Sequence, residues 1–337
     1  MASLRIIGQA FDNELEQGFA AIRRELEVPA SFPKAVVAEA EAVTTRGPLV
    51  PPGANTHVVD RTDLALLTID PPGSIDLDQA FAAERHQDGY RVWYAIADVA
   101  SFVAPGGALD TEARSRGVTL YSPDQRASLH PKTLNESAGS LLAGTIKPAV
   151  LWEIELDADG HQTTATARRA MVRSCEQLTY RQAQDRIDGN DGTVSLELLR
   201  EIGKLRQQIE ANRGAISLQL PAQEISPRGD GDYELHYDTS MPVEGWNAQI
   251  SLLTGMAAGQ IMVEAGHGLL RTLPPLEMET VKQVRRAARA LDVDWPDGVS
   301  YPDRVRTLDP NTPSEAALLV RAARSFRGAG YEAFFDH

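Results

Sequence analysis

The chain has 337 residues, with 33 Lys+Arg against 47 Asp+Glu, a formal net charge of −14 and 42% hydrophobic residues. That is globular composition with room for one large or two medium domains; it excludes a disordered chain, and the acidic balance argues against tight non-specific binding to nucleic acid without excluding a local basic channel. A single cysteine, Cys175, excludes a disulfide framework and a Cys-rich zinc site and fits a reducing, cytoplasmic setting. The longest apolar stretch, residues 250–262, is interrupted by Ser251, Thr254, Gly255 and Gln260 and is too short to span a bilayer, and residues 1–12 do not read as a signal peptide.

In chain order, residues 11–27 read as an amphipathic helix with Phe19, Ile22 and Leu26 on one face. The breaker-rich segment 47–56 (GPLVPPGANT) divides a helical N-terminal segment, 1–55, from a main domain expected over 56–337. Residues 63–69 read as a strand. Asp88-Gly89 lies between strand-like runs 80–86 and 90–99, and Asp159-Gly160 between 150–156 and 162–172. Such pairs predict hairpins, with a type I′ turn demanding φ > 0 at both central residues. Leu196, Leu199, Ile202, Leu205 and Ile209 predict a helix ended by Gly214, and 244–265 is apolar on most faces and is expected to be buried. Further helices are expected over 280–291 and 314–326, the latter opened by Thr312-Pro313. Strands first and helices later predict an α+β domain with a mixed or antiparallel sheet, or a partly closed barrel, surrounded by helices.

The segment 68–79 carries the chemistry. A strand runs into Asp70, and Pro71 holds that residue extended. Pro72-Gly73 suits a type II turn, and Asp76 and Asp78, two apart on an extended chain, project from one face. Three crowded carboxylates raise each other's pKa unless neutralised, and the usual neutraliser is a hard divalent cation with oxygen ligands, a donor set suited to phosphodiester cleavage. The plainer reading of the same pattern is an acidic, solvated loop capping a strand. His130, His236 and His267 are isolated and read as structural, and Cys175 as a small buried apolar residue. Two basic stripes, Lys282/Arg285/Arg286/Arg289 and Arg321/Arg324/Arg327, suit a phosphate path but more commonly mark solvated helix faces.

Residues 70–81 (DPPGSIDLDQAF) resemble the signature of the ribonuclease II/ribonuclease R exoribonuclease catalytic domain, and similar segments follow in order at 94–103, 116–142, 172–180 and 242–258. The resemblance covers about residues 56–335, and its form is most similar to a bacterial, actinobacterial branch. It implies a Mg²⁺-dependent enzyme, with Mn²⁺ as the alternative ion, that degrades single-stranded RNA from the 3′ end to nucleoside 5′-monophosphates. By that resemblance Asp70, Asp76, Asp78 and Gln79 hold the metal and Asp76 and Asp78 are catalytic. Tyr121 stacks on the RNA, and Tyr180 and Glu244 contact the terminal nucleotides, in keeping with sequence-tolerant stacking and with a carboxylate reading the 2′-OH. A structural role is the plainer alternative for each of these three, Glu244 being equally suited to a helix's first turn.

Three departures bear on activity; one is that the family's cold-shock and S1 domains are not found in this sequence, so that RNA anchoring is expected to be weak and salt-sensitive. Gln79 stands where most of the family has a fourth Asp, and a neutral ligand lowers cation affinity. The family's Ser/Thr-Pro-x-Arg-Arg/Lys element does not occur before His337, so a C-terminally incomplete catalytic domain is expected. The alternative functions are a catalytically impaired relative that binds RNA or a protein, and a metal phosphohydrolase acting on small esters.

Overall fold

The structure, a computed structural model, describes residues 4–5, 12–48, 58–216, 222–227, 233–238, 240–274, 276–323 and 329–335. The order is β1 (Leu4–Arg5), α1 (Asp12–Glu25), α2 (Lys34–Arg46), β2 (Val59–Asp70), β3 (Gln79–His86), β4 (Gly89–Ala97), α3 (Ala108–Arg116), β5 (Leu120–Tyr121), β6 (Arg126–Ala127), β7 (Ile146–Leu156) and β8 (Gln162–Thr179). There follow α4 (Tyr180–Gly189), α5 (Val194–Asn212), β9 (Ala222–Pro227), β10 (Tyr233–Asp238), α6 (Pro242–Glu264), β11 (His267–Thr272), α7 (Met278–Ala290), α8 (Tyr301–Arg306), α9 (Pro313–Ala323) and β12 (Gly330–Phe335).

Strands β2, β3, β4, β7 and β8 close into a barrel. Neighbours pair antiparallel except at the seam, where β2 runs parallel to β8 from Val59↔Ala170 to Asp70↔Thr179. The α+β expectation holds, and the barrel is fully closed. Alternation along the strands sorts side chains onto two cores. Leu67, Ile69, Phe81, Tyr94, Ile154 and Leu178 pack with Leu199, Ile202, Trp246 and Ile250 of helices α5 and α6. The other face is lined by small residues, Ala80, Ala82, Ala95, Ala149 and Ala170, with Leu66, Leu77 and Leu141. Helix α2 joins a third cluster of Val36, Ala40 and Val43 with Phe102, Leu109 and Leu134.

Three expectations are corrected. The β3–β4 turn centres on Gln87-Asp88, with only Gln87 at positive φ (51°), and His86 pairs with Gly89. It is therefore not a type I′ turn at Asp88-Gly89. Gly89 is required for another reason: a Cβ there would lie 2.1 Å from the Leu156 carbonyl oxygen. The long helix α6 is buried along Val243, Trp246, Gln249, Ile250, Leu253, Thr254 and Ala257, while Leu252, Met256, Ile261 and Val263 are exposed, because the face that meets the barrel and α5 does not extend round the helix. Cys175 is exposed rather than buried, since alternation on β8 turns its neighbour Ser174 inward.

Other readings hold in position. A hairpin does form at Asp159-Gly160, but here too the type I′ expectation is corrected: only Gly160 has positive φ (+84°), in a longer loop between Leu156 and Gln162 where the Asp157 carboxylate accepts from the Asp159 and His161 amides at 3.0 and 2.8 Å. Gly214 takes φ +75° after α5. Helix α1 matches the amphipathic segment, although Ile22 and Leu26 are exposed. Of the basic stripes, Lys282 and Arg286 pair with Glu279, and Arg285 stacks on Trp295 and donates to the Val299 carbonyl. Arg324 and Arg327, the His236 side chain, and most of the 47–56 segment (49–56) lie outside the described residues.

Candidate metal centre and nucleic-acid cleft

The carboxylate segment is built by local chemistry. Gly73 takes φ +81° and the Ser74 amide donates to the Pro71 carbonyl at 3.3 Å, the geometry that a Pro-Gly type II turn supplies. Beyond the turn, the Ser140 hydroxyl donates to the Ile75 carbonyl (2.8 Å) and accepts from the Leu77 amide (2.9 Å). Leu77 is fully enclosed in the small-residue core, so Asp76 and Asp78 turn to the opposite side. The Asp78 carbonyl accepts from the Ala97 amide at 2.9 Å, which fastens the segment to the end of β4.

The electrostatics show a crowd of like charges. Asp70 is pushed up to about 6, first by burial and then by the charges of Asp78 and Asp76. Asp78 keeps an exposed edge, yet the protein around it and the charge of Asp76 raise its pKa as well. Oδ2 of Asp70 is buried without a hydrogen-bond partner. Asp76 differs: its Oδ2 accepts from Nη1 of Arg126 at 2.8 Å, and Nη2 of the same guanidinium donates to Oε1 of Glu136. Among the described residues, no group of three or more His, Cys, Asp or Glu side chains is gathered into a ready cation cage.

Two cavities run past Asp70 and Asp78, and a third lies on the other side of Tyr180. A narrow one of about 30 Å³ is lined by Asp70, Gln79, Tyr94, Tyr180 and Asn247. One of about 480 Å³ is lined by Asp78, Gln79, Tyr94, Trp152 and the Ser251/Thr254/Gly255/Ala258 face of α6. The largest, about 740 Å³, opens between α5, α6, α8 and α9 and includes Tyr180, Glu244, Gln249 and Arg306. Tyr180 thus bridges the carboxylates and the large cavity. It begins α4, whose N-terminus is held by a capping box: the Gln182 amide donates to Thr179 Oγ1 (3.2 Å) and the Thr179 amide to Gln182 Oε1 (2.8 Å). Burial first, then the charges of Asp70 and Glu244, raise its phenol. Burial likewise lifts Tyr94 to about 12, so both phenols are neutral hydrogen-bond donors near pH 7.

Glu244 takes the structural place expected of a helix's first turn, and it also faces a cavity. It accepts from the Met241 amide at 2.7 Å in the first turn of α6, and it lines the large cavity beside Tyr180. Gln79 lines both smaller cavities, one shared with Asp70 and the other with Asp78. Tyr121 stands apart from all three cavities, 75% exposed on the β5–β6 hairpin. Sequence reasoning missed Arg126, Glu136 and Asn247. No local signal singled out Arg126 among the chain's many arginines, because both of its acidic partners reach it only through the fold.

The model of the RNB domain matches residues 58–332. This chain belongs to the RNB-domain family. Among similar proteins, DIS3-like exonuclease 2 of Arabidopsis thaliana is 36% identical over 291 residues, covering 77% of this RNB chain and 27% of the relative. An Arabidopsis protein named inactive exonuclease DIS3L2 matches equally, and ribonuclease R of Escherichia coli is 30% identical over 205 residues, 58% of this chain and 25% of its own. The RNB chain therefore spans about a quarter of the length of these relatives. In fold it is similar to Mycoplasma genitalium RNase R solved with ribose-methylated single-stranded RNA (TM-score 0.80, 19% identity, 94% of this chain and 51% of that one). It is also similar to yeast Ssd1, described as a pseudonuclease (TM-score 0.67, 14% identity, 86% and 37%). Among the described residues no helix is long and apolar enough to cross a membrane.

Proposed function

We propose that this chain is a divalent-cation-dependent 3′→5′ exoribonuclease domain that hydrolyses single-stranded RNA to nucleoside 5′-monophosphates. The observation that carries the reading is the Asp70 carboxyl: one oxygen buried and without a partner, its pKa lifted to about 6 by burial and by Asp78 and Asp76. Asp70 itself has no cationic partner, Arg126 being engaged with Asp76, and the oxygen donors here suit Mg²⁺ or Mn²⁺. Asp70 and Asp78 would hold the ion, with Asp76 and the neutral oxygen of Gln79 as further donors. When bound, the ion supplies charge neutralisation at the reacting phosphate and an activated water.

The chain's own groups supply the rest. The Tyr180 phenol, between Asp70 and Glu244, is a neutral donor for the terminal ribose or its phosphate. The Glu244 carboxylate, already oriented by the Met241 amide, suits a 2′-hydroxyl and so a preference for RNA over DNA. Tyr121 offers an open ring face for stacking.

The deciding experiment incubates a 5′-labelled oligoribonucleotide with the protein and Mg²⁺, Mn²⁺ or chelator. Progressive shortening from the 3′ end with a divalent ion, none in chelator, and at least a hundredfold loss in Asp78→Asn with RNA binding retained is the expected pattern. A second reading has one specific observation behind it: Asp76 already holds Arg126, and Gln79 brings no charge. An RNA-binding domain without turnover would bind the same oligonucleotide and leave it intact in every condition.

A further inference from the structure

Arg126 is the unusual group at this centre. It lies fifty residues after Asp76 in sequence, yet its guanidinium bridges that carboxylate and Glu136, one amino group to each. Both acids are more enclosed than a surface pair, with side-chain exposures of 25% for Asp76 and 11% for Glu136. Arg126 is also the directly opposite partner of Tyr121 in the β5–β6 hairpin, so the two side chains share a face. The far end of the hairpin is tied separately: Nη1 of Arg23 on α1 meets Asp124 at 2.6 Å and Ser122 at 3.2 Å.

We propose that Arg126 is an internal counter-charge with which a divalent cation competes for Asp76, a positioning residue that sets cation affinity and fastens the Tyr121 hairpin to the metal centre. The proposal rests on the exoribonuclease reading only in taking Asp76 as a cation donor. Without the ion, the guanidinium neutralises one of three crowded carboxylates. An ion drawing on Asp76 meets the guanidinium's charge and must share or displace it. Glu136 is the alternative seat for the displaced guanidinium, which makes release incomplete and reversible and keeps the hairpin rooted. An incoming phosphate is a second such seat, so cation and RNA binding are expected to favour one another through Arg126.

The test is calorimetric titration of Mn²⁺ and Mg²⁺ into the full chain, with Arg126→Met, Arg126→Lys, Glu136→Gln and Arg23→Met. Removing a positive charge that competes for a ligand should tighten the cation about tenfold in Arg126→Met. Arg126→Lys keeps the charge but not the two-pronged bridge and should fall between Arg126→Met and the parent. Glu136→Gln removes the alternative seat and should weaken cation binding at least about twofold. Arg23→Met changes net charge equally, on α1 against the far end of the same hairpin, but touches no metal-centre carboxylate, and should shift affinity less than about twofold. Circular dichroism in chelator verifies folding, and Arg126→Lys keeps the test alive should Arg126→Met unfold. Equal gains in Arg126→Met and Arg23→Met would reduce the effect to net charge and overturn the proposal. So would unchanged affinity in both Arg126 variants while the parent binds the ion, an outcome that leaves the exoribonuclease reading standing. Absence of cation binding in every protein, the parent included, would overturn both.

Discussion

Asp70 ends a strand whose preceding residues, Leu66 to Ile69, are almost completely enclosed, and its carboxyl is correspondingly short of water. Its pKa of about 6 lies above the ordinary 3.8, so the folded state holds the proton more tightly than the unfolded chain does. Well below pH 3.8 both states are protonated and the residue is neutral towards stability. As pH rises from about 4 to 6 the unfolded chain ionises first, and above 6 the fold carries the full penalty, at most about 3 kcal/mol. Asp70→Asn removes the titration and keeps the shape. In chelator at pH 7.5 the variant should therefore be more stable by roughly 1–3 kcal/mol, with the difference shrinking as pH falls below 6 and vanishing only well below pH 3.8. Excess Mg²⁺ should raise the parent's melting temperature and leave the variant's nearly unmoved. A variant no more stable than the parent in chelator would mean that Asp70 already has a compensating partner. Tyr121 is the opposite kind of residue. With 75% of its surface exposed it contributes little to folding, so Tyr121→Ala should leave the melting temperature within about a degree. RNA affinity measured by anisotropy in chelator should fall by about 1–2 kcal/mol if the ring stacks on a base, and unchanged affinity would remove it from the RNA path. The acids at 70, 76 and 78 were legible because Pro71, Pro72 and Gly73 dictate their local geometry whatever surrounds them. Arg126 was not, because its partners are brought to it by tertiary folding alone.

At the scale of elements, the site depends on how closely α5 and α6 approach the barrel and each other. Gly203, in the middle of α5, is a weak helix former on propensity alone, and its neighbour explains it: a Cβ there would lie 2.4 Å from Cβ of Trp246 and 2.6 Å from its Cγ. Alanine would gain about 1 kcal/mol in helix propensity. It would also force apart two buried helices, at about 1–3 kcal/mol or more, with a backbone-proximal atom that cannot rotate away. A 2.4 Å approach puts the second effect at the upper end of that range, so Gly203→Ala should be destabilising by about 2 kcal/mol in urea unfolding. A stabilised variant would show that the α5–α6 contact is slack. Because Val243 and Trp246 flank Glu244 on α6, the same variant should weaken nucleotide binding at Tyr180 and Glu244 more than at Tyr121. Hairpins were legible from alternation and turn residues, but the β3–β4 turn was displaced by one residue. There the Asp-Gly signal was read as a turn requirement, whereas Gly89 is needed for the Leu156 backbone packed against it. Burial of α6 was overstated for a related reason: periodicity ranks the faces of a helix, and the extent of its neighbours decides how many faces are covered.

For the whole molecule, closure of the barrel decides where the carboxylates stand. The parallel β2–β8 seam joins segments about a hundred residues apart and brings Asp70 opposite Thr179, next to Tyr180. No hairpin signal announces a pairing of that kind, since parallel neighbours need a crossover rather than a turn. The third hydrophobic cluster is equally non-local, and it ties α2 to α3 through one carboxylate. Glu39 Oε2 accepts from the amides of Ala108 and Leu109 at 2.6 and 3.2 Å, two of the orphan donors at the start of α3. A carboxylate at a helix N-terminus also meets the favourable end of the macrodipole. Since α3 leads directly into the Tyr121 hairpin, loosening this contact should propagate in one direction, toward residues 117–128, and leave the barrel intact. Glu39→Ala should lower global stability by about 1–2 kcal/mol, the usual range for losing an N-terminal cap. It should also speed hydrogen exchange at Ala108 and Leu109, and more weakly across the hairpin, with the amides of β4 and β7 unchanged. Uniform acceleration across the barrel would show that α2 belongs to the same cooperative unit as β4 and β7. No change at Ala108 and Leu109 would remove Glu39 as the cap of α3.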